Sequence, residues 1–172
     1  ESEPTVTDRA IAEVVQQFVP DGATLQTGIG GVPSVVAAAL AEGPGGDYGV
    51  HSEMFTDGLR RLHEAGKVSN RRKGVFDGVS VTTFALGSAS LLSWLDGNDD
   101  VAFVPVEAVN DPDLIGRNRA MVSLNGASWS TSTARWWPTT CPGARSRGWG
   151  VTRTSWPVPS CGPTGGPSSA SP

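Results

Sequence analysis

Apolar and polar positions alternate along the first 125 residues in blocks that change period repeatedly. Thr5 or Thr7 is placed to cap a first helix, with Asp8 in its first turn. Ile11, Val14, Val15 and Phe18 then fall at helical spacing and predict its inward face. Pro20-Asp-Gly22 predicts a turn, and residues 23–27 a strand. Glycines at 28, 30 and 31 follow, and Pro33 opens a Val- and Ala-rich helix over 33–40. A Gly/Pro loop over 41–47 leads into a second strand over 48–52. Residues 57–65 form an amphipathic pattern, with Leu59 and Leu62 inward, Arg60, Arg61 and Glu64 outward, and Gly66 as its stop. His63 is expected at the surface of that helix, and Ser69-Asn-Arg-Arg-Lys73 as a solvated basic loop. Strands over 79–86, 101–106 and 120–124 alternate with helices over 88–95 and after Asn110-Asp-Pro-Asp113. The fold class is therefore α/β, a largely parallel sheet with flanking helices, with function at the carboxyl ends of strands. Gly28, Glu53 and Asn125 all sit at such ends.

The pattern stops at Ser128. Residues 128–172 use nine residue types and contain no Leu, Ile, Phe, Met, Asp, Glu or Lys, yet hold five of the six tryptophans. All 17 acidic residues precede this tail, as do 9 of the 13 Lys and Arg, so 1–127 carries −8 and 128–172 carries +4. Such a composition cannot build an ordinary core. Two domains of unlike character follow: an α/β segment over 1–127 and a low-complexity, disordered or non-native tail over 128–172.

Out-of-frame translation of a GC-rich gene accounts for the tail better than a natural basic extension does. Regrouping the codons of residues 130–139 by one base, with free wobble, spells Val-Asp-Leu-Asp-Gly-Gln-Val-Val-Ala-Asp. Residues 149–159 similarly spell Val-Gly-Gly-His-Glu-Asp-Phe-Val-Ala-Gly-Ala. Both continue a normal domain in the same frame.

Composition narrows the function classes. A net charge of −4 does not suggest a nucleic-acid surface. No apolar run reaches the ~20 residues of a membrane span, and the polar start has no signal-peptide character, so a cytoplasmic location is expected. The first residue is not Met, which fits a chain that begins inside a longer protein or follows processing. Cys141 and Cys161 form no metal-binding pattern, and no metal is expected.

Chemistry is concentrated in Leu25-Gln-Thr-Gly-Ile-Gly-Gly-Val-Pro33 and His51-Ser-Glu-Met-Phe-Thr-Asp-Gly58. A glycine turn opening a helix presents free N–H groups to an anion or polarised carbonyl, and Glu53 adds a carboxylate. Together they form a candidate acyl-transfer site. A structural βα turn explains the glycines as simply, and a solvated or salt-bridged carboxylate at a strand end is the simpler reading of Glu53 from the residues alone. A nucleotide-binding α/β module is a further reading, but the third glycine of the dinucleotide fingerprint, a ribose-binding acid and a phosphate-binding Lys are not found.

These two motifs, with Pro105-Val, Asn110-Asp-Pro112 and Met121-Val-Ser-Leu-Asn125, make residues 5–127 resemble the acetyl-CoA hydrolase/transferase family, which includes 4-hydroxybutyrate CoA-transferase. The resemblance implies the C-terminal domain of a two-domain protein whose N-terminal domain is absent here. It implies Glu53 as nucleophile, forming an acyl anhydride and then a glutamyl-CoA thioester. It implies the Ile29 N–H as an oxyanion donor, with Gly28, Ile29, Gly30, Gly31 and Val32 lining the thioester end of CoA and Asn125 contacting CoA. Coenzyme A would be a co-substrate rather than a resident cofactor, and the partners an acyl-CoA and a small carboxylic acid; a homo-oligomer is left open. Transfer to an acid and hydrolysis by water both fit. The family's second oxyanion donor lies in a Gly-Gly-x-x-Asp-Phe segment that the tail lacks, so the chain as translated is expected to be inactive.

Overall fold

A computed structural model describes residues 5–125 and 150–153. In chain order the elements are α1 (Val6–Val15), β1 (Thr24–Thr27), α2 (Gly31–Glu42), β2 (Gly49–Val50), β3 (Met54–Phe55), α3 (Asp57–Glu64), β4 (Ser80–Thr82) and β5 (Phe84–Ala85). They continue with α4 (Ala89–Leu95), β6 (Val101–Phe103), α5 (Val106–Val109), α6 (Pro112–Arg117), β7 (Met121–Asn125) and β8 (Gly150–Arg153). The main sheet has the order β2-β1-β7-β8. Its first three strands run parallel, and β8 pairs antiparallel with β7. Parallel ladders β3–β5 and β4–β6 extend the layer, and a parallel bridge between His51 and Val81 connects β4 to the end of β2.

The α/β class thus holds, with parallel pairing where strands alternate with helices. Leu25, Val50, Val122 and Leu124 from the sheet meet Val36, Ala37 and Leu40 of α2 and Leu59 and Leu62 of α3 in one core. Burying side chains of this size stabilises the fold by about 1.5–3 kcal/mol each. Within the tail, the four residues of β8 are described as strand; the rest of it lies outside the described residues.

Local chemistry explains most boundaries. Thr5 forms a capping box with Asp8, Ser88 caps α4, and Asp111 caps α6 with Pro112 in its first turn. Gly66, at φ 67°, ends α3 in the left-handed region, as expected.

Four expectations need correction. The inward face of α1 is Ala12 and Val15, continued by Val19, whereas Ile11, Val14 and Phe18 are exposed. Two adjacent apolar stripes share the helical period. Packing of α1 on α2 selects the one containing small Ala12 and brings the Asp8 carboxylate against Gly31. The strand over 79–86 is split, because the Glu53 carbonyl accepts from both the Thr83 and Phe84 N–H groups, at 2.9 and 3.2 Å. The chain there changes partner, from β6 to β3. His63 is half-buried: it lies edge-on to Trp94 at 5.3 Å and its Nε2 meets the Ser80 hydroxyl at 2.9 Å. Burial pushes its pKa down, against the pull of Asp100.

Lys73 departs furthest from the solvated loop expected of it. It is fully buried, and its ammonium donates to the carbonyls of Val50, at 3.0 Å, and Val79, at 2.5 Å. Desolvation pushes its pKa down to about 8 despite the opposing charge of Asp77. The stem crosses Gly49, where a Cβ would lie 2.3 Å from the Lys73 Cγ.

Candidate functional site

Strand register assembles the candidate site. Thr24 and Leu25 pair with Gly49 and Val50 on one side, and Thr27 pairs with Leu124 on the other. Counted forward by the parallel register, Gly28 stands level with Glu53 and Asn125 at one carboxyl edge. Side chains show that this register persists past the last ladder bond. The Thr27 N–H donates to the Ser52 hydroxyl oxygen at 3.2 Å, and that hydroxyl donates to the Met54 carbonyl at 2.7 Å. Glu53 follows Ser52 directly, so it leaves the same carboxyl edge from which the glycine turn departs after Thr27.

Glu53 is fixed at its backbone, and its side chain has no partner among the described residues. Its carbonyl accepts from Thr83 N, Phe84 N and the Thr82 hydroxyl, the last at 3.1 Å, while the residue is exposed. The residues before it are held as firmly. The N–H of Val50 donates to Asn70 Oδ1 at 2.9 Å and its carbonyl accepts from Lys73. His51 is buried. Its Nε2 faces the Val109 carbonyl at 2.8 Å and its Nδ1 faces the Asn118 amide at 3.1 Å. A carbonyl on one side and an amide donor on the other select the neutral tautomer with hydrogen on Nε2. Burial lowers the His51 pKa, and the Lys73 charge adds to that, against the Val109 hydrogen bond.

The glycine turn is built for close approach. Gly28 donates to the Leu124 carbonyl at 2.7 Å, and a Cβ there would lie 2.6 Å from Asn125 Oδ1. Gly30 is the cap residue of α2 at φ 130°, a backbone conformation that a side chain would strain. Ile29 is 62% exposed, and its N–H has no acceptor among the described residues. Gly31 and Val32 open α2 with their N–H groups in the first turn. Asn125 donates to Gln26 Oε1 at 2.8 Å and to the Ser123 hydroxyl at 2.7 Å, which fixes its amide on the sheet edge. The arrangement thus offers a carboxylate, an exposed-turn N–H with no acceptor among the described residues, and an oriented amide. Such a set suits attack on a carbonyl whose developing oxyanion needs a donor.

Sequence reasoning quoted the motif around Glu53 but assigned nothing to its supports. Ser52, His51, Asn70, Lys73 and Asn118 form the buried polar frame behind the carboxylate. The adjacency of His51 and Ser52 to Glu53 was the available signal; nothing in the local pattern marked Asn70 or Lys73. A second missed feature flanks the turn. Asp57, the first residue of α3, accepts from the Ser88 N–H and hydroxyl, both at 2.7 Å. Its pKa is lowered: burial works to raise it, and is outweighed by the two Ser88 hydrogen bonds and the charges of Arg60 and Arg61. Among the described residues no cluster of three His, Cys, Asp or Glu could hold a metal ion, and no helix is long and apolar enough to cross a membrane.

Comparisons with known proteins agree with one another. Residues 87–144 match the model of the acetyl-CoA hydrolase/transferase C-terminal domain. The succinyl-CoA:cyclohexane-1-carboxylate CoA transferase of Geobacter metallireducens is 39% identical over 121 residues, covering 70% of this chain and 27% of that protein. The 4-hydroxybutyrate coenzyme A transferase of Clostridium kluyveri is 38% identical over 118 residues, covering 69% and 27%. Among solved structures, RipA from Yersinia pestis shares 36% identity at a TM-score of 0.65, covering 72% of this chain and 28% of that one. The 4-hydroxybutyrate CoA-transferase of Porphyromonas gingivalis gives 36% and 0.67, with coverage of 74% and 33%. The matched stretch spans little more than a quarter of the curated relatives' length. With the sheet edge, the glycine turn and these alignments in agreement, the chain belongs to the acetyl-CoA hydrolase/transferase family and carries part of its C-terminal domain.

Proposed function

We propose that this segment supplies the nucleophilic half of a CoA-transferase site, with Glu53 as the attacking group. The Glu53 carboxylate adds to the thioester carbonyl of an acyl-CoA, and the Ile29 N–H donates to the oxyanion. Loss of CoA thiolate leaves an acyl-glutamyl anhydride. The thiolate then attacks the glutamyl carbonyl and expels the original acid, which gives a glutamyl-CoA thioester. An acceptor carboxylate runs the two steps in reverse, leaving as a new acyl-CoA and regenerating Glu53. Coenzyme A is a co-substrate throughout, and no resident cofactor is required. Gly28, Gly30, Gly31 and Val32 leave room for the thioester end, and Asn125 orients CoA at the neighbouring strand end. Acid acceptors make the protein a transferase; water in their place makes it a hydrolase.

One observation supports this reading: the Thr27–Ser52 hydrogen bond ties the strand end just before Glu53 to the strand that leads into a turn whose Ile29 N–H has no acceptor among the described residues. The remaining domain of a full-length protein and the second oxyanion donor complete the site, so the 172-residue chain is inactive by itself. The test uses a frame-restored, full-length enzyme incubated with acyl-CoA and then borohydride, which reduces a glutamyl thioester. Mass spectrometry finds the modification on Glu53. Glu53→Gln abolishes it and lowers turnover by several orders of magnitude while CoA still binds. Glu53→Asp withdraws the carboxylate by about one methylene and costs roughly a hundredfold. An adduct on another residue, or near-normal transfer by Glu53→Gln, refutes the assignment.

A further inference from the structure

Up to His51 the segment that leads to Glu53 keeps to β1: the His51 N–H donates to the Leu25 carbonyl at 3.0 Å. After that it turns to its other neighbour. The Ser52 N–H donates to the Val81 carbonyl at 3.1 Å, and the Glu53 carbonyl is taken by Thr83 and Phe84. Met54 and Phe55 then pair with Phe84 and Ala85. The chain carrying Glu53 thus parts from β1 just where β1 runs into the glycine turn. The fully buried side chain of Ser52 spans this parting. Its Oγ accepts from the Thr27 N–H at 3.2 Å and donates to the Met54 carbonyl at 2.7 Å, with the Thr27 carbonyl 3.3 Å away as a second acceptor. Thr27 directly precedes Gly28 and Ile29, and residues 52 and 54 bracket Glu53. One oxygen therefore holds the strand end that feeds the turn and closes a small loop with Glu53 at its centre.

Hydrogen bonds of a buried hydroxyl replace bonds to water, so their net contribution to stability is small, but their length and direction are fixed. What Ser52 supplies is a spacing. We propose that Ser52 is a positioning residue for the transfer reaction, its hydroxyl setting the separation between the Glu53 carboxylate and the Ile29 N–H. The arm of Glu53 starts from the loop that the Ser52–Met54 bond closes. The Ile29 N–H lies two residues beyond the N–H that Ser52 accepts from. Without the hydroxyl, Glu53 stays anchored on Thr82, Thr83 and Phe84, and the turn stays anchored through Gly28 on Leu124. The two anchors then lose the bond that sets their distance. An attacking group displaced by about 1 Å loses roughly a hundredfold in rate. This assignment rests on the reading of Glu53 as nucleophile and Ile29 as oxyanion donor. Ser52 is not among the groups assigned to CoA, so its loss falls on the chemical step and not on binding.

The experiment uses the frame-restored, full-length enzyme and separates binding from chemistry. Ser52→Ala lowers kcat about a hundredfold and leaves KM for acyl-CoA within about threefold of the parent. The borohydride-trapped adduct still maps to Glu53, and its single-turnover formation slows by the same factor as kcat. Ser52→Cys keeps a side chain of similar shape with a longer, weaker hydrogen-bonding group, and loses about tenfold. Val101→Ala is the stability control: a core truncation on β6, separated from β1 by β4 and β2, it lowers the urea midpoint and leaves kcat per folded molecule unchanged. Near-normal kcat in Ser52→Ala overturns the proposal. A loss that appears only as a raised KM overturns it too, as does one that Val101→Ala reproduces at an equal fall in midpoint. Where Ser52→Ala does not fold, Ser52→Cys decides: the smaller loss at unchanged KM supports the assignment, and parental kcat overturns it. An adduct on another residue sinks the Glu53 reading and this proposal with it. A Glu53 adduct that forms at the parental rate in Ser52→Ala sinks this proposal alone.

Discussion

Replacing Lys73 tests how much a buried ammonium costs this fold. Its pKa falls from 10.5 to about 8 on folding. Below pH 8 both folded and unfolded chains hold the proton, and the folded state bears the whole desolvation penalty. Between 8 and 10.5 the unfolded chain holds a proton that the folded chain has released, so stability rises with pH across that window. At about 1.4 kcal/mol per pH unit the full gain is roughly 3 kcal/mol, and about 2 of it is realised by pH ~9.5. Lys73→Met removes this titration and leaves the carbonyls of Val50 and Val79 without their donor, a loss of about 1–3 kcal/mol each. Near neutrality the two effects oppose each other and the variant lies within a few kcal/mol of the parent. Raising the pH to ~9.5 then widens the deficit by about 2 kcal/mol. Urea unfolding followed by far-UV circular dichroism at both pH values measures this. Tyr48, whose pKa burial raises with help from Asp21, titrates in both proteins and cancels in the difference. A deficit that does not change with pH refutes the argument, since Lys73 would then titrate like a solvated lysine.

Two further outcomes follow from the same frame. Burial holds the pKa of both His51 and His63 below 6.5, so the unfolded chain takes up protons first as the pH falls. Stability is lost below about pH 6.5; His51→Gln flattens part of that dependence in urea titrations, and an unchanged slope contradicts the neutral, buried imidazole. Gly49→Ala destabilises by about 1–3 kcal/mol because its Cβ meets the Lys73 stem at 2.3 Å. Lys73→Ala removes that stem, so a double-mutant cycle yields a coupling above about 0.5 kcal/mol; additive losses would mean that the two side chains do not compete.

The legible parts of the sequence were those where one signal had one structural solution. Leu59 and Leu62 lie inward on α3 and Gly66 stops it, because apolar pair, charged face and glycine all point to one geometry. The parallel edge carrying Gly28 and Asn125 follows equally from strand–helix alternation. Illegible parts were those decided by distant partners. The roll of α1 depends on α2, since the stripes through Ile11 and Ala12 are equivalent until a neighbour is present. Lys73 sits in a basic run that reads as solvated, and only the carbonyls of Val50 and Val79 turn it inward. Likewise, the Asp57–Ser88 contact needs α3 beside the start of α4, 31 residues further along the chain. The family motif marked Glu53 but not the frame behind it, because motifs record which residues recur and not which hydrogen bonds hold them.

The three donors on the Glu53 carbonyl make its α-carbon a fixed pivot, with a short free arm beyond it. In the covalent relay proposed for Glu53, a carboxylate oxygen first attacks and the carboxyl carbon is then attacked, so the group has to turn between the two events. A floppy backbone would let the loaded group wander between those events and dilute it. A rigid one with an immobile side chain would block that turn. Under that proposal, anchoring the pivot and freeing only the side-chain torsions would confine the loaded group to a volume set by the arm. Departing thiolate and loaded carbonyl would then remain at high effective molarity while the arm turns.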